Sequence, residues 1–231
     1  MWNGKNKAIT FSFDDGVTQD ARCIEILNKY GLKATFNINS GLLGREGSLC
    51  NGKRKVSHDK VEPEIVQKLY LGHEVAVHTL NHPLLPALTD DEIVREVEED
   101  RKKLSELCGY EVVGMAYPCG GKNCDERVAE VVRTRTGVKY ARTNKSINSF
   151  DLPKNLYLLD GIYYCDERFE SIVEEFLALE TDTPQLLYIW GHTYEMDFEY
   201  ITWEKFESLC QKMSGRSDIF YGTNKEVLLE K

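Results

Sequence analysis

The sequence predicts an α/β fold built as one (β/α) barrel or a close variant of it. Three observations predict it. Strand-like and helix-like stretches alternate about seven times along the chain, which implies parallel strands joined by crossover helices. No Pro/Gly/Ser-rich linker, charge block, internal repeat or low-complexity segment divides them, so residues 1–231 read as one domain. Of the 231 residues, 42% are hydrophobic and 29% charged, which is enough for a sizeable core.

The elements follow in order. Residues 7–13 (KAITFSF) alternate with period two, as a strand does. Residues 20–30 place Ile24, Leu27 and Tyr30 on one helical face, with Gly31 as the stop. Residues 34–38 read as a second strand. Residues 41–60 show no clear period and read as a long loop, either functional or mobile. A short helix over 63–71 tolerates Pro63 in its first turn. A strand at 74–78 precedes the clearest helix, 89–108. There Thr89 and Glu92 form a capping box, and Glu98–Lys102 and Glu99–Lys103 are i,i+4 pairs. A strand at 112–117 stops at Pro118, and a helix follows over 125–134. Short strands are expected at 139–142 and 156–159, a helix at 170–179, and a buried strand at 186–190. A helix at 203–213 and a strand at 219–221 precede a terminal helix.

Charge narrows the function classes. The net charge is −9, from 38 acidic and 29 basic residues, which argues against nucleic acid and anionic membrane surfaces as partners. No apolar run reaches the length of roughly 18 residues that a spanning helix needs. The opening Met1-Trp2-Asn3-Gly4-Lys5 lacks the apolar core of a signal peptide, so a cytoplasmic location is expected. Seven cysteines (Cys23, Cys50, Cys108, Cys119, Cys124, Cys165 and Cys210) include no CxxC pair and read as free thiols of a reducing compartment. Nothing in the pattern sets an oligomeric state.

In a barrel the C-terminal strand ends converge on one mouth. Strand one ends in Asp14-Asp15-Gly16. Adjacent carboxylates point in different directions and can take different roles, although Asp and Gly also make solvated turns. Strand three ends in His78 and His82, an i,i+4 spacing that on a helical turn brings both rings to one metal ion. Thr79 separates this pattern from HExxH. Pro118-Cys119-Gly120-Gly121 restricts the backbone and could present an amide to a ligand, or form a plain turn. His192, after Trp190 and Gly191, is a candidate acid or base. Each signal is weak alone, but together they place one chemistry at one mouth. One Asp and two His suit Zn²⁺ or another divalent ion. The spare carboxylate and histidine then supply base and acid for a hydrolysis.

Thr10-Phe11-Ser12-Phe13-Asp14-Asp15-Gly16, followed by His78-Thr79-Leu80-Asn81-His82-Pro83, resembles the first two motifs of the polysaccharide deacetylases (carbohydrate esterase family four, the NodB-type domain). The similarity of order and spacing runs over about residues 5–195. It implies a distorted (β/α) barrel with an incomplete set of strands, and metal-dependent removal of acetyl groups from N- or O-acetylated saccharides. By position, Asp15, His78 and His82 resemble the metal set and Asp14 the general base. His192, in Leu187-Tyr188-Ile189-Trp190-Gly191-His192, resembles the acid. The Cys119 amide matches the oxyanion donor. Zinc is the expected ion, with cobalt, nickel, manganese or iron as alternatives.

The chain departs from the family at its third motif, usually Arg-x-Pro-(Tyr/Trp)-Gly. Here Ala116-Tyr117-Pro118-Cys119-Gly120 lacks the arginine that orients the base and carries a thiol for the aromatic ring. Arg142 is a candidate replacement from the next strand. Asp160 is the nearest candidate to tune His192. Glu195 reads as a substrate contact or a solvated loop carboxylate. Tyr117, Tyr163, Tyr164, Trp190 and Tyr194 are candidate walls of a sugar groove. Two other functions fit the same pattern: a hydrolase of non-sugar linear or cyclic amides, and a non-catalytic carbohydrate-binding barrel.

Overall fold

The computed structural model describes residues 1–230. Its strands are β1 (Lys7–Asp14), β2 (Ala34–Ile38), β3 (Ser48–Cys50), β4 (Lys55–Ser57), β5 (Glu74–Val77), β6 (Gly114–Ala116), β7 (Tyr140–Ser146), β8 (Leu159–Tyr163), β9 (Gln185–Gly191) and β10 (Ile219–Tyr221). Its helices are α1 (Asp20–Lys29), α2 (Val66–Leu69), α3 (Asp90–Cys108), α4 (Glu126–Arg135), α5 (Phe169–Ala178), α6 (Trp203–Met213) and α7 (Asn224–Leu228). Seven strands close a parallel barrel in the order β1, β2, β5, β6, β7, β8, β9, with β9 pairing back onto β1. Along its other edge β1 pairs first with β10, from Lys7 to Ile9, and then with β2, from Phe11 to Asp14. The barrel is therefore closed but uneven. β5 and β6 meet at one register pair, Val77 with Met115.

Every residue of β1 is buried, because both of its faces are covered. Ile9, Phe11 and Phe13 join the apolar layer between strands and helices, where Phe206 of α6 packs edge-on to both phenyl rings. Thr10, Ser12 and Asp14 share the opposite face, as period two requires. That face meets a column of polar side chains inside the barrel. Thr35 and Tyr140 both donate to Glu74, at 2.7 and 2.8 Å. Thr10 donates to Asn224, which donates in turn to the Tyr188 hydroxyl. Arg142 lies two residues beyond Tyr140 on β7, so it points into the same lumen nearer the mouth.

Five expectations need correction. The loop over 41–60 contains the antiparallel hairpin β3–β4, turned at Asn51-Gly52 with Gly52 at φ 84°. Most of its positions face solvent, so no apolar period marks it. β8 starts at Leu159, where the expected strand at 156–159 ends, because Asn155 turns the chain first: its Oδ1 accepts from Tyr157 N at 2.9 Å and its carbonyl from Leu158 N at 3.3 Å. The turn carrying His78 and His82 is not helical: Thr79 and His82 both adopt left-handed φ, 68° and 60°. Neither expected i,i+4 pair closes among the described residues. Glu98 instead accepts from Arg101 and from the Gly137 amide, while Thr89 and Glu92 do form the capping box. Asp160 turns to Thr143 Oγ1, away from His192. No described helix is long and apolar enough to cross a membrane, and all seven cysteines are free.

Candidate active site

The two adjacent aspartates diverge because the chain turns sharply between them. Asp15 takes φ 85°, held by Lys60, whose Nζ donates to the Asp15 carbonyl at 2.8 Å. Its own amide donates to the Asn37 carbonyl at 2.9 Å. Oδ1 of Asp15 then faces His78 Nε2 at 3.8 Å and His82 Nε2 at 3.5 Å. The ligand atoms of these three residues lie within 4.8 Å of one another. His78 Nδ1 donates to the Ala116 carbonyl at 2.9 Å, so its Nε2 keeps the free lone pair that a metal needs. Burial pushes His78 down to about 4 and lowers His82 as well, so both rings are neutral. Burial alone would raise the Asp15 pKa, but the His58 hydrogen bond and the Lys60 charge hold it well below the usual range. A carboxylate with two neutral imidazoles in this geometry fits a divalent cation.

Helix α3 supports the histidine turn from behind. Asp100 accepts from the His78 amide at 3.1 Å, and Glu96, one turn earlier, accepts from Asn81 N and Nδ2 at 2.9 and 3.0 Å. Asn39 Nδ2 donates to the carbonyls of His78 and Thr79. These bonds hold the two left-handed residues in place.

Asp14 belongs to a different network. Arg142 Nη2 donates to both of its oxygens, at 2.5 and 2.6 Å, and Asn37 Nδ2 donates to Oδ1 at 2.9 Å. The Arg142 guanidinium also stacks 4.8 Å from the Trp190 ring centroid. Arg142 therefore reaches the Asp14 carboxylate from β7, through the lumen of the barrel. Burial raises the Asp14 pKa, yet the Arg142 charge, with His78 and His192 behind it, brings the net shift downward. His192 Nε2 faces Asp14 Oδ2 at 3.9 Å. On the other side of its ring, Nδ1 lies 3.1 Å from Glu195 Oε1, and the His192 amide donates to Oε2 at 2.8 Å. Burial lowers the His192 pKa, but the Glu195 charge and hydrogen bond outweigh it and push the ring up to about 9.

Residues 3–141 match the sequence profile of the polysaccharide deacetylases. The chain belongs to the polysaccharide deacetylase family. Chitin deacetylase 1 of Cryptococcus neoformans var. grubii is 30% identical over 122 residues, 52% of this chain and 22% of that one. A chitooligosaccharide deacetylase of Rhizobium leguminosarum bv. trifolii is 27% identical over 123 residues, 52% of this chain and 50% of its own length. The matches thus span between about a fifth and half of these relatives. Among solved structures, a family 4 acetyl xylan esterase from Clostridium thermocellum, in complex with a cobalt ion, superposes with a TM-score of 0.60 at 16% identity. That match covers 96% of this chain and 90% of the other and shows a shared fold.

In this polysaccharide deacetylase family member most of the expected site residues line one cleft of about 280 Å³, with Arg142 and Glu195 buried behind its wall. Asp14, Asp15, His78, His82, Cys119 and His192 all border it, with Tyr117, Trp190, Tyr194 and Asn144. Cys119 takes φ 72°, and its Sγ lies 3.7 Å from His82 Nδ1. Asn144 Nδ2 pins that turn through the Cys119 and Gly121 carbonyls. Tyr163 and Tyr164 support the site from behind. Tyr163 donates to Glu195 Oε1 at 2.5 Å, and buried Tyr164 donates to the His192 carbonyl at 2.6 Å. Glu195, expected against substrate, spends its oxygens on His192, Tyr163 and Cys165, so it takes the place foreseen for Asp160. Several residues escaped the sequence reading: Asn37 at Asp14, Asn144 on the cleft wall, Asn39, Glu96 and Asp100 behind the histidine turn, and His58 and Lys60 at Asp15. His58 and Lys60 come from the aperiodic 41–60 segment. The scarcity of histidine, five in the chain, was the signal that could have found His58.

Proposed function

We propose that this protein is a metal-dependent hydrolase that removes acetyl groups from an N- or O-acetylated sugar or oligosaccharide. The observation that carries the reading is the division of labour between neighbours: Asp15 sits with two neutral imidazoles, while Asp14 sits with Arg142 and faces His192. Asp15, His78 and His82 would hold the ion. A carboxylate with a depressed pKa, such as Asp14, is a weak base, and a bound cation supplies what that requires: Lewis acidity toward the acetyl carbonyl and a more acidic water.

This chain's residues supply the remaining roles. Asp14 accepts the proton of the attacking water, with Arg142 holding its carboxylate in register. The Cys119 amide donates to the acetyl oxygen as negative charge develops there. Water oxygen bonds to the carbonyl carbon, and the bond to the sugar nitrogen or oxygen breaks. Protonated His192 gives its Nε2 proton to that leaving atom, so acetate and a free amine or alcohol result. Trp190, Tyr194 and Tyr117 provide the aromatic boundary for a sugar ring. Seven free cysteines support a reducing, cytoplasmic setting and hence a small acetylated saccharide or sugar conjugate.

Acetate release from N- and O-acetylated saccharides, run beside amine release from ureides and cyclic imides, tests the substrate class. Turnover of acetylated saccharides is expected. Turnover confined to ureides or imides would replace the carbohydrate reading.

Glu195→Gln gives a second expected result. The amide keeps the shape of Glu195 but removes its charge, so the His192 pKa falls from about 9 toward the ordinary value near 6.5. Protonated His192 is the active form, so the alkaline limb of kcat/KM moves to lower pH. A profile over about pH 6 to 10 reads the shift. An alkaline limb that stays in place would remove Glu195 from this role.

A further inference from the structure

Four of the five histidines stand around the cleft, and one of them, His58, takes no part in the chemistry above. It follows the β3–β4 hairpin, where the main chain is pinned on both sides. Its amide donates to the Gly47 carbonyl at 2.9 Å, while Thr18 N donates to Asp59 O at 2.9 Å and Val61 N to Gly16 O at 3.0 Å. The imidazole packs edge-on against Tyr194, ring centroids 5.2 Å apart. Backbone and ring are thus fixed together beside the Asp14-Asp15-Gly16 turn.

His58 Nε2 lies 3.1 Å from Asp15 Oδ2. An ionised carboxylate oxygen only accepts, so Nε2 carries the hydrogen. The other oxygen, Oδ1, is the one that faces His78 and His82. The two oxygens of one carboxylate therefore have separate partners. Lys60, two residues on, clamps the Asp15 carbonyl and lies 3.6 Å from Oδ1. We propose that His58 is a positioning residue for the cation set: its Nε2–H holds Asp15 Oδ2 and leaves Oδ1 as the single oxygen presented with the two imidazoles. The proposal rests on the reading of Asp15, His78 and His82 as metal ligands. Without His58 the carboxylate can rotate and offer both oxygens. Hydrogen-bonded partners of metal ligands typically contribute about 10–100-fold to metal affinity.

The test compares full-length wild type with His58→Ala and His58→Gln. The glutamine amide nitrogen can occupy the place of Nε2 and donate in its stead. Zn²⁺ affinity is measured by competition with a chromophoric chelator, and Co²⁺ binding by the visible spectrum, whose intensity falls as coordination number rises. Thermal unfolding of the metal-free proteins establishes that each variant folds. His58→Ala is expected to bind Zn²⁺ about 10–100-fold more weakly and to show a weaker Co²⁺ band. His58→Gln is expected to recover most of both. Wild-type Zn²⁺ affinity with an unchanged Co²⁺ spectrum in His58→Ala would overturn the proposal. So would a His58→Gln variant as impaired as His58→Ala. A wild-type protein that binds neither ion would overturn the cation reading itself, and the proposal with it.

Discussion

Replacing Asp14 with asparagine is expected to lower kcat by about 10²–10⁴-fold, the usual contribution of a positioned general base, while Zn²⁺ still binds. The prediction follows from the split between the two aspartates. Asp14 oxygens are occupied by Arg142 and Asn37, and only Asp15 faces the imidazole pair. Asparagine keeps an acceptor for Arg142 but cannot take the proton of water. Acetate release and metal content, measured on the same sample, separate the roles. Loss of metal together with rate would make Asp14 a ligand. A rate near wild type would move the base elsewhere in the cleft.

The second large effect is expected at Arg142. Its guanidinium is 1% exposed and is paired with a carboxylate that is itself buried. Removing one partner of a buried pair strands the other charge, at a typical cost of about 3–5 kcal/mol. Arg142→Met, similar in length and uncharged, should show that loss in chemical denaturation at neutral pH. The sign of its pH dependence follows from Asp14. In wild type the depressed Asp14 pKa stabilises the fold above the unfolded value near 3.9, and this is lost as pH falls through the folded pKa. In the variant, burial is opposed only by His78, His192 and the Asn37 hydrogen bond, so the folded pKa rises and ionising Asp14 stabilises the fold less or destabilises it as pH rises. The gap between the proteins should thus be widest at neutral pH and narrow toward about pH 4. The rate should fall as well, because the base loses its orientation. Arg142→Lys, which keeps charge but not the planar fork, should recover stability more fully than rate. An Arg142→Met enzyme with normal rate would separate Arg142 from catalysis.

Much of this site was legible because it is local in sequence and ends buried strands. β1 and β9 are apolar enough to announce themselves, and the polar residues that follow them, Asp14, Asp15 and His192, stand out by contrast. Arg142 was legible for a related reason: one strand over from Ala116, it reaches the same lumen. What was not legible depends on contacts far apart in the chain. His58 lies 43 residues from Asp15, on a hairpin whose exposed positions carry no apolar period. The hairpin did leave a local trace in Asn51-Gly52, a common turn pair. The sequence points to Asp160 as the partner of His192 and to Glu195 as a substrate contact or a solvated carboxylate. The structure prefers Glu195 because the tight turn after β9 folds it back onto His192 three residues earlier, whereas Asp160 is engaged by its β7 neighbour Thr143. The i,i+4 spacing of His78 and His82 suggested a helix. The chain reaches the same convergence through two left-handed residues that α3 holds from behind.

Metal removal and return test the central claim most directly. Wild-type protein is stripped with a chelator, its metal content is verified, and acetate release from an N-acetylated chito-oligosaccharide is followed before and after Zn²⁺ is restored. The account predicts that acetate release stops on stripping and returns with Zn²⁺. Acetate release that continues unchanged from verified metal-free protein would contradict it.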